Sequence, residues 1–262
     1  MTPQIQFKTP TAELISSTEN SNIGAMAILI FTKSTRLKMT SDGFAAIYAR
    51  VEADPEWAKA ELSYMSRTIR SSWEFIDYTF LISNVSRGCA QQMTRTRQAS
   101  FAMQSQRVTN MSDSSFHMPS TLPLDQLDNY TSAIASSVEA YGSLVDTNYE
   151  QEDDYVEAAS LEDARNVLPI GIHCNLVLKM NLRTLAELIV ARSSGRVQEE
   201  YRTVVVLMRE AIFAIHPWAR EFIRPSNEMA IDMLKDLQAY DSLKSKGTDR
   251  INIMKIIDLL SK

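Results

Sequence analysis

The chain has 262 residues, 45% of them hydrophobic and 23% charged, with a formal net charge of −5. That is enough material to bury a substantial core, with the composition of a globular protein. The acidic balance excludes a general basic field for nucleic acid, so any bound anion must be met by local arginines.

The N-terminus lacks the basic segment and apolar core of a signal peptide. The apolar run Ile23–Phe31 is too short to span a bilayer, so a cytoplasmic protein without a membrane partner is expected. Residues 1–22 are polar and rich in Ser, Thr and Asn; they read as a mobile arm or an edge strand, leaving residues 23–262 as one domain. Phe44, Ile47 and Val51, then Trp57, Leu62, Met65 and Ile69, recur at helical spacing over residues 42–70, with Pro55 opening a second segment. Trp73–Ile82 is aromatic and β-branched and reads as a strand. Residues 86–98 suit a helix carrying two arginines.

Asp125–Leu144 has Leu127, Tyr130, Ile134, Val138 and Tyr141 on one helical face. Residues 149–157 are an acidic surface loop, and Ser160 caps a short helix that ends near Pro169. Residues 170–180 read as a strand, after which Asn181 caps a helix running through Ala191 and broken by Ser193-Ser194-Gly195. A last amphipathic helix turns Val197, Tyr201, Val204, Val205, Met208 and Ile212 inward and stops before Pro217. With no internal repeat and no Gly/Ser linker, the fold expected is a single α+β domain whose central mixed or antiparallel sheet is flanked by helices.

Several chemistries find no support. Seven glycines, with no GxGxxG and no GxxxxGK[ST], exclude the usual glycine-loop nucleotide folds. Cys89 and Cys174 form no CxxC pair and read as small buried hydrophobes. Three histidines give little material for a zinc or di-metal centre, so no metal is expected. His173 and Cys174 are adjacent, but neighbours on a strand point to opposite faces, which disfavours a dyad. His216-Pro217-Trp218 reads as a helix stop.

The unusual stretch is Gln92–Arg107, where Arg95, Arg97 and Arg107 alternate with Ser100 and Ser105. Guanidinium forks and hydroxyls both suit phosphate oxygens, although a solvated basic patch has the same composition. Arg95 and Arg97 point apart on a helix but could flank one pocket in a loop.

The spacing resembles the signature of flavin-dependent thymidylate synthases, R-H-R-x-x-S-x-N-E-x-S-x-R-Y, through Arg95, Arg97, Ser100, Ser105 and Arg107. Ala164–Pro169 is similar to the family's A-R-x-x-L-P and Asn181–Leu185 to its N-x-R-x-L. Arg192 falls where the family has an arginine beside the pyrimidine, Gln198 and Glu200 echo A-Q-x-E, and Trp73–Ile76 echoes F-E-H-I. The departures are Phe75, Thr96, Ala102, Met103, Val108 and Glu187, which replace a histidine, a histidine, an asparagine, a glutamate, a tyrosine and an asparagine of the family pattern.

The resemblance implies a homotetramer with active sites between subunits, FAD as cofactor, and methylenetetrahydrofolate and NADPH as co-substrates. The product would be C5-methylated, or hydroxymethylated, and the substrate dUMP, UMP or dCMP. By position, Gln92, Arg95, Ser105, Arg107, Arg165 and Arg192 would hold the nucleotide. Arg192 would be catalytic, stabilising charge on the pyrimidine. Ser71, Arg95, Thr96, Arg97, Asn181 and Arg183 would lie on the flavin side. The departures leave the nucleotide site better kept than the flavin and folate sites. The alternative is therefore a non-catalytic nucleotide-binding or assembly module that keeps the fold.

Overall fold

The structure is a computed structural model and describes residues 5–36, 39–146, 161–192 and 197–224. Four strands, β1 (Thr11–Ser17), β2 (Asp77–Ser86), β3 (Ala99–Met103) and β4 (His173–Asn181), form one sheet in the order β1-β2-β4-β3. Every pairing is antiparallel. The helices include α1 (Asn22–Thr32), α2 (Ser41–Ala53), α3 (Pro55–Thr68), α4 (Arg87–Met93), α5 (Leu127–Asp146), α6 (Leu182–Arg192) and α7 (Glu199–Ile215). The expected α+β architecture, with helices around an antiparallel sheet, is what the chain adopts.

The sheet has one apolar face because side chains alternate along each strand. Tyr78, Phe80 and Ile82 of β2 and Leu176, Leu178 and Met180 of β4 are buried in a core shared with α1, α3, α6 and α7. A second cluster joins Ile134, Val138 and Tyr141 of α5 to Met111, Phe116, Leu161 and Ile172. It fastens the long connection between β3 and α5 to the end of β4. Asn84 takes a positive φ of 57° at an irregularity in the β2–β4 register, and its N–H donates to Asn175 Oδ1 at 3.1 Å. Asparagine tolerates that left-handed conformation better than a β-branched residue does.

Local chemistry explains most boundaries. Pro55 sits in the first turn of α3, capped by Asp54, whose Oδ1 accepts from Trp57 N–H at 3.0 Å. Asn181 caps α6 as expected, its Oδ1 accepting from Thr184 N–H at 2.9 Å. Residues 11–17 are an edge strand, one of the two readings for the N-terminal 22 residues.

Two expectations are corrected. The strand read from Trp73 begins at Asp77, because Arg70–Phe75 is a 3-10 turn that buries Trp73 and points its indole N–H at Met65 O, 3.2 Å away. The helix read over 86–98 stops at Met93; Thr94 and Thr96 N–H close a turn on Ala90 O and Met93 O before β3 begins. The acidic loop at 149–157, the Ser160 cap and the Ser193–Gly195 break lie outside the described residues.

Candidate functional site

α4 is the pivot of the site. Its N-cap is Ser86, whose Oγ accepts from Cys89 N–H at 3.0 Å and donates to Glu200 Oε2 at 2.5 Å. Glu200 is almost wholly buried in the first turn of α7, and its Oε1 also accepts from Ser86 N–H at 2.6 Å. The same carboxylate accepts from Gln198 Nε2 at 3.2 Å, and Gln198 Oε1 accepts from Gln92 Nε2 at 2.7 Å. A buried carboxylate thus fixes both the start of α4 and, through one glutamine, the side chain of another.

Gln92 opens onto a cavity of about 350 Å³ lined by Gly88, Gln91, Gln92, Arg95, Ile170 and Arg192. Arg95 follows α4 in a loop, where it can face a pocket that Arg97 does not line. Arg192 ends α6, with its guanidinium 4.9 Å from the Tyr201 ring centroid and its Nε buried without a hydrogen-bond partner among the described residues. Burial pushes the Tyr201 phenol up, and the neighbouring Thr96 and Arg192 oppose that shift. Unsatisfied buried donors of this kind are uncommon and suit a ligand acceptor.

The remaining nucleotide-side residues gather elsewhere in the chain. Arg107 Nε lies 2.9 Å from Glu162 Oε2, and Arg165 lies 3.2 Å from Glu162 Oε1. Ser105 Oγ accepts from Arg107 N–H at 3.2 Å. The Gln92–Arg107 stretch is therefore split between two clusters, Gln92 and Arg95 beside Arg192, and Ser105 and Arg107 beside Arg165, the second already holding a carboxylate. Sequence reasoning missed Glu162, Gln91, Ile170 and Tyr201. Gln198 and Glu200 were visible as a motif echo, but not as the support for Gln92.

Among the described residues, the flavin-side residues do not converge on one cavity. Ser71 lines a cavity of about 650 Å³ with Lys33, Phe44, Tyr64, Ser72 and Phe75. Arg183 is engaged by Glu74 at 2.7 Å and by Glu187 at 3.2 Å, and the Asn181 carbonyl is spent on its helix cap. Arg95 and Arg97 are exposed, with no carboxylate partner among the described residues. Met103, in the place of the family glutamate, packs against the core, while Ala102 is exposed on the other face of β3. Cys89 and Cys174 are buried free thiols; burial raises both, so neither is an activated nucleophile.

The fold thus presents an antiparallel sheet flanked by helices and a cavity lined by Arg95 and Arg192 beside a helix whose start Glu200 holds. The family model for thymidylate synthase complementing protein, Thy1, matches residues 13–218, and the chain belongs to that family. A flavin-dependent thymidylate synthase of Sulfurisphaera tokodaii is 31% identical over 149 residues, which cover 57% of this chain and 55% of that protein. One from Haloarcula marismortui is 29% identical over 191 residues, covering 65% and 77%. The chain spans about half the length of the first of these relatives. Among solved structures, a UMP/dUMP methylase, PolB, of Streptomyces cacaoi bound with 5-Br dUMP matches with a TM-score of 0.63 at 20% identity, covering 83% of this chain and 96% of that one. At that identity the match speaks to the fold. No helix among the described residues is long and apolar enough to cross a membrane.

Proposed function

We propose that this protein methylates C5 of a pyrimidine nucleoside monophosphate with a reduced flavin and a folate one-carbon donor. The observation that carries the reading is the cavity where Gln92, Arg95 and Arg192 meet, with the Arg192 Nε buried and unpaired. The names of the flavin-dependent relatives and the brominated dUMP in the methylase of like fold support it.

In this reading Gln92, held by Gln198, orients the nucleotide, and Arg95 meets its phosphate. Ser105, Arg107 and Arg165 complete the anion site when chains assemble. Arg192 offers a fixed positive charge to the pyrimidine oxygens as C5 becomes nucleophilic, which lowers the barrier because the donor needs no reorganisation. Ser71, Thr96, Arg97 and Arg95 would hold FAD, which when bound supplies the hydride for the one-carbon unit. NADPH would be its reductant and methylenetetrahydrofolate the carbon donor. The outer sheet face supports assembly into a homotetramer: Glu13, Leu81, Val177 and Ala102 lie on one rung across the four strands, and no helix core among the described residues covers that rung. Static light scattering reads the assembly directly, and a monomer at micromolar concentration rejects it.

The test is to incubate purified protein with FAD, methylenetetrahydrofolate, NADPH and, separately, dUMP, UMP or dCMP. Mass analysis distinguishes a methyl from a hydroxymethyl product. No C5-modified product from any of the three overturns the reading. Arg192→Ala should lower kcat by roughly a hundredfold with a smaller change in nucleotide affinity, whereas Arg107→Ala should weaken binding first.

One observation favours a second reading, a nucleotide-binding module without chemistry. Met103 contributes no carboxylate, and Arg183 is tied to two glutamates. A colourless preparation that still binds nucleotide would select the module.

A further inference from the structure

We propose that His117, His173 and Glu200 form a binding site for one divalent ion of the zinc class per chain, with a fourth coordination position open to a side cavity. The count of three histidines gave no expectation of a metal, yet the fold brings two of them to a carboxylate. One ligand atom from each of the three residues lies within 4.8 Å of the other two. Zinc–ligand bonds of roughly 2.0–2.2 Å place tetrahedral ligands some 3.3 Å apart, so each atom moves inward by under about 1 Å. That is a side-chain rotation.

The three residues come from separate elements, and the backbone holds each in place. His173 opens β4, and its N–H donates to Ser115 O at 2.9 Å. His117 N–H donates to Gly171 O at 2.9 Å, and the His117 carbonyl accepts from Tyr130 Oη at 2.6 Å. Glu200 is anchored by Ser86 and Gln198, and its Oε1 lies 3.8 Å from His117 Nδ1.

A second observation points to a ligand. His173 is 5% exposed, its Nδ1 is 2.8 Å from Ser115 Oγ, and its Nε2 is buried with no hydrogen-bond partner among the described residues. A hydroxyl on one ring nitrogen that leaves the other free is the arrangement metal-binding histidines commonly show. Two imidazoles and one carboxylate give a zinc-type ligand set.

The way in is a cavity of about 300 Å³ lined in part by Phe7, Lys8, His117, Ser120, Glu199 and Glu200. Its space leaves room for a water as fourth ligand. Lys8 is the opposing charge on this side, and Glu199 partly balances it. A metal here would stiffen the β3–α5 connection against β4 and α7. Through Glu200, Gln198 and Gln92 it would also hold the wall of the nucleotide cavity.

The experiment uses the full chain, stripped with EDTA and titrated with Co2+. Expected are visible d–d bands that saturate at one Co2+ per chain, loss of those bands when Zn2+ is added, and a higher melting temperature with Zn2+. His117→Ala, at a partly exposed position, should abolish the one-to-one bands while leaving the far-ultraviolet circular dichroism unchanged. Ser115→Ala, which removes only the partner of the free histidine ring, should weaken Zn2+ binding by roughly tenfold or more. Lys8→Met should strengthen it. Sub-stoichiometric binding, or binding that His117→Ala leaves unchanged, overturns the proposal. These readouts need neither flavin nor turnover, so they stand or fall separately from the methyltransferase reading.

Discussion

Glu162 holds Arg107 and Arg165 in the place where a phosphate would compete for them. Both arginine contacts are partly solvent-exposed, with side chains 62% and 31% accessible against 38% for the glutamate. Exposed pairs contribute under about 1 kcal/mol each, so Glu162 costs the fold little when lost. A phosphate dianion offers more charge and more acceptors to the same forks. Glu162→Ala should therefore leave the melting temperature nearly unchanged and raise nucleotide affinity by up to about fivefold, the factor that corresponds to a competing pair of that strength. Calorimetric titration with dUMP reads it. A fall in affinity would mean that Glu162 positions the arginines for the nucleotide. Neither the pairing nor its consequence is visible in the sequence, where Glu162 is one acid among several in a helix-like turn.

Asn181 carries two readings that can be separated at the scale of one element. The motif places it beside flavin, and the fold gives it the N-cap of α6, where it satisfies Thr184 N–H at 2.9 Å. Loss of an N-cap typically costs about 1 kcal/mol, and Ser retains the cap. Asn181→Ala should lower stability by that amount in urea titrations, with Asn181→Ser close to the native protein. If flavin affinity falls equally in both variants, Asn181 touches the cofactor; if it follows the melting curve, the cap is its whole role. Elements with strong periodicity were legible in the sequence. α7 was, because Val204, Val205, Met208 and Ile212 face one core, and α6 was, because its cap precedes a regular apolar face. The 3-10 turn at Arg70–Phe75 was not, since Trp73 and Phe75 have strand-like composition while only Trp73 is buried. The sequence gives the spacing of the candidate site residues but not their arrangement in space. A motif fixes the spacing of Arg95 and Arg107, whereas the β3 strand between them sends one to the α4 cavity and the other to Glu162. His117, His173 and Glu200 share no local pattern, because tertiary pairing between the 115–117 segment and the start of β4 brings them together.

For the molecule as a whole, the core helices meet the sheet at a buried polar pair that makes stability depend on pH. His216 is fully buried at the end of α7, its Nδ1 3.0 Å from Tyr78 Oη, and its ring stacks on Trp218 with centroids 5.2 Å apart. Burial lowers its pKa below the ordinary 6.5, and nearby Glu19 opposes that shift without reversing it. The unfolded chain therefore binds a proton at His216 before the folded chain does. Above pH 6.5 both states are neutral at this ring and the folded protein has its full stability; as pH falls below that value the unfolded state gains protonation free energy and stability drops until the folded pKa is passed. The Tyr78 phenol is raised by burial, so it stays protonated throughout this range and adds no slope. Urea unfolding in EDTA at a series of pH values should show stability declining from neutral pH toward pH 5. His216→Phe, which keeps an aromatic ring between Tyr78 and Trp218, will lose a hydrogen bond and some stability at neutral pH, yet its decline with acid should be shallower. Parallel pH curves for the two proteins would show that the ring takes up its proton equally in the folded and unfolded chains, and would place the acid sensitivity of this core elsewhere.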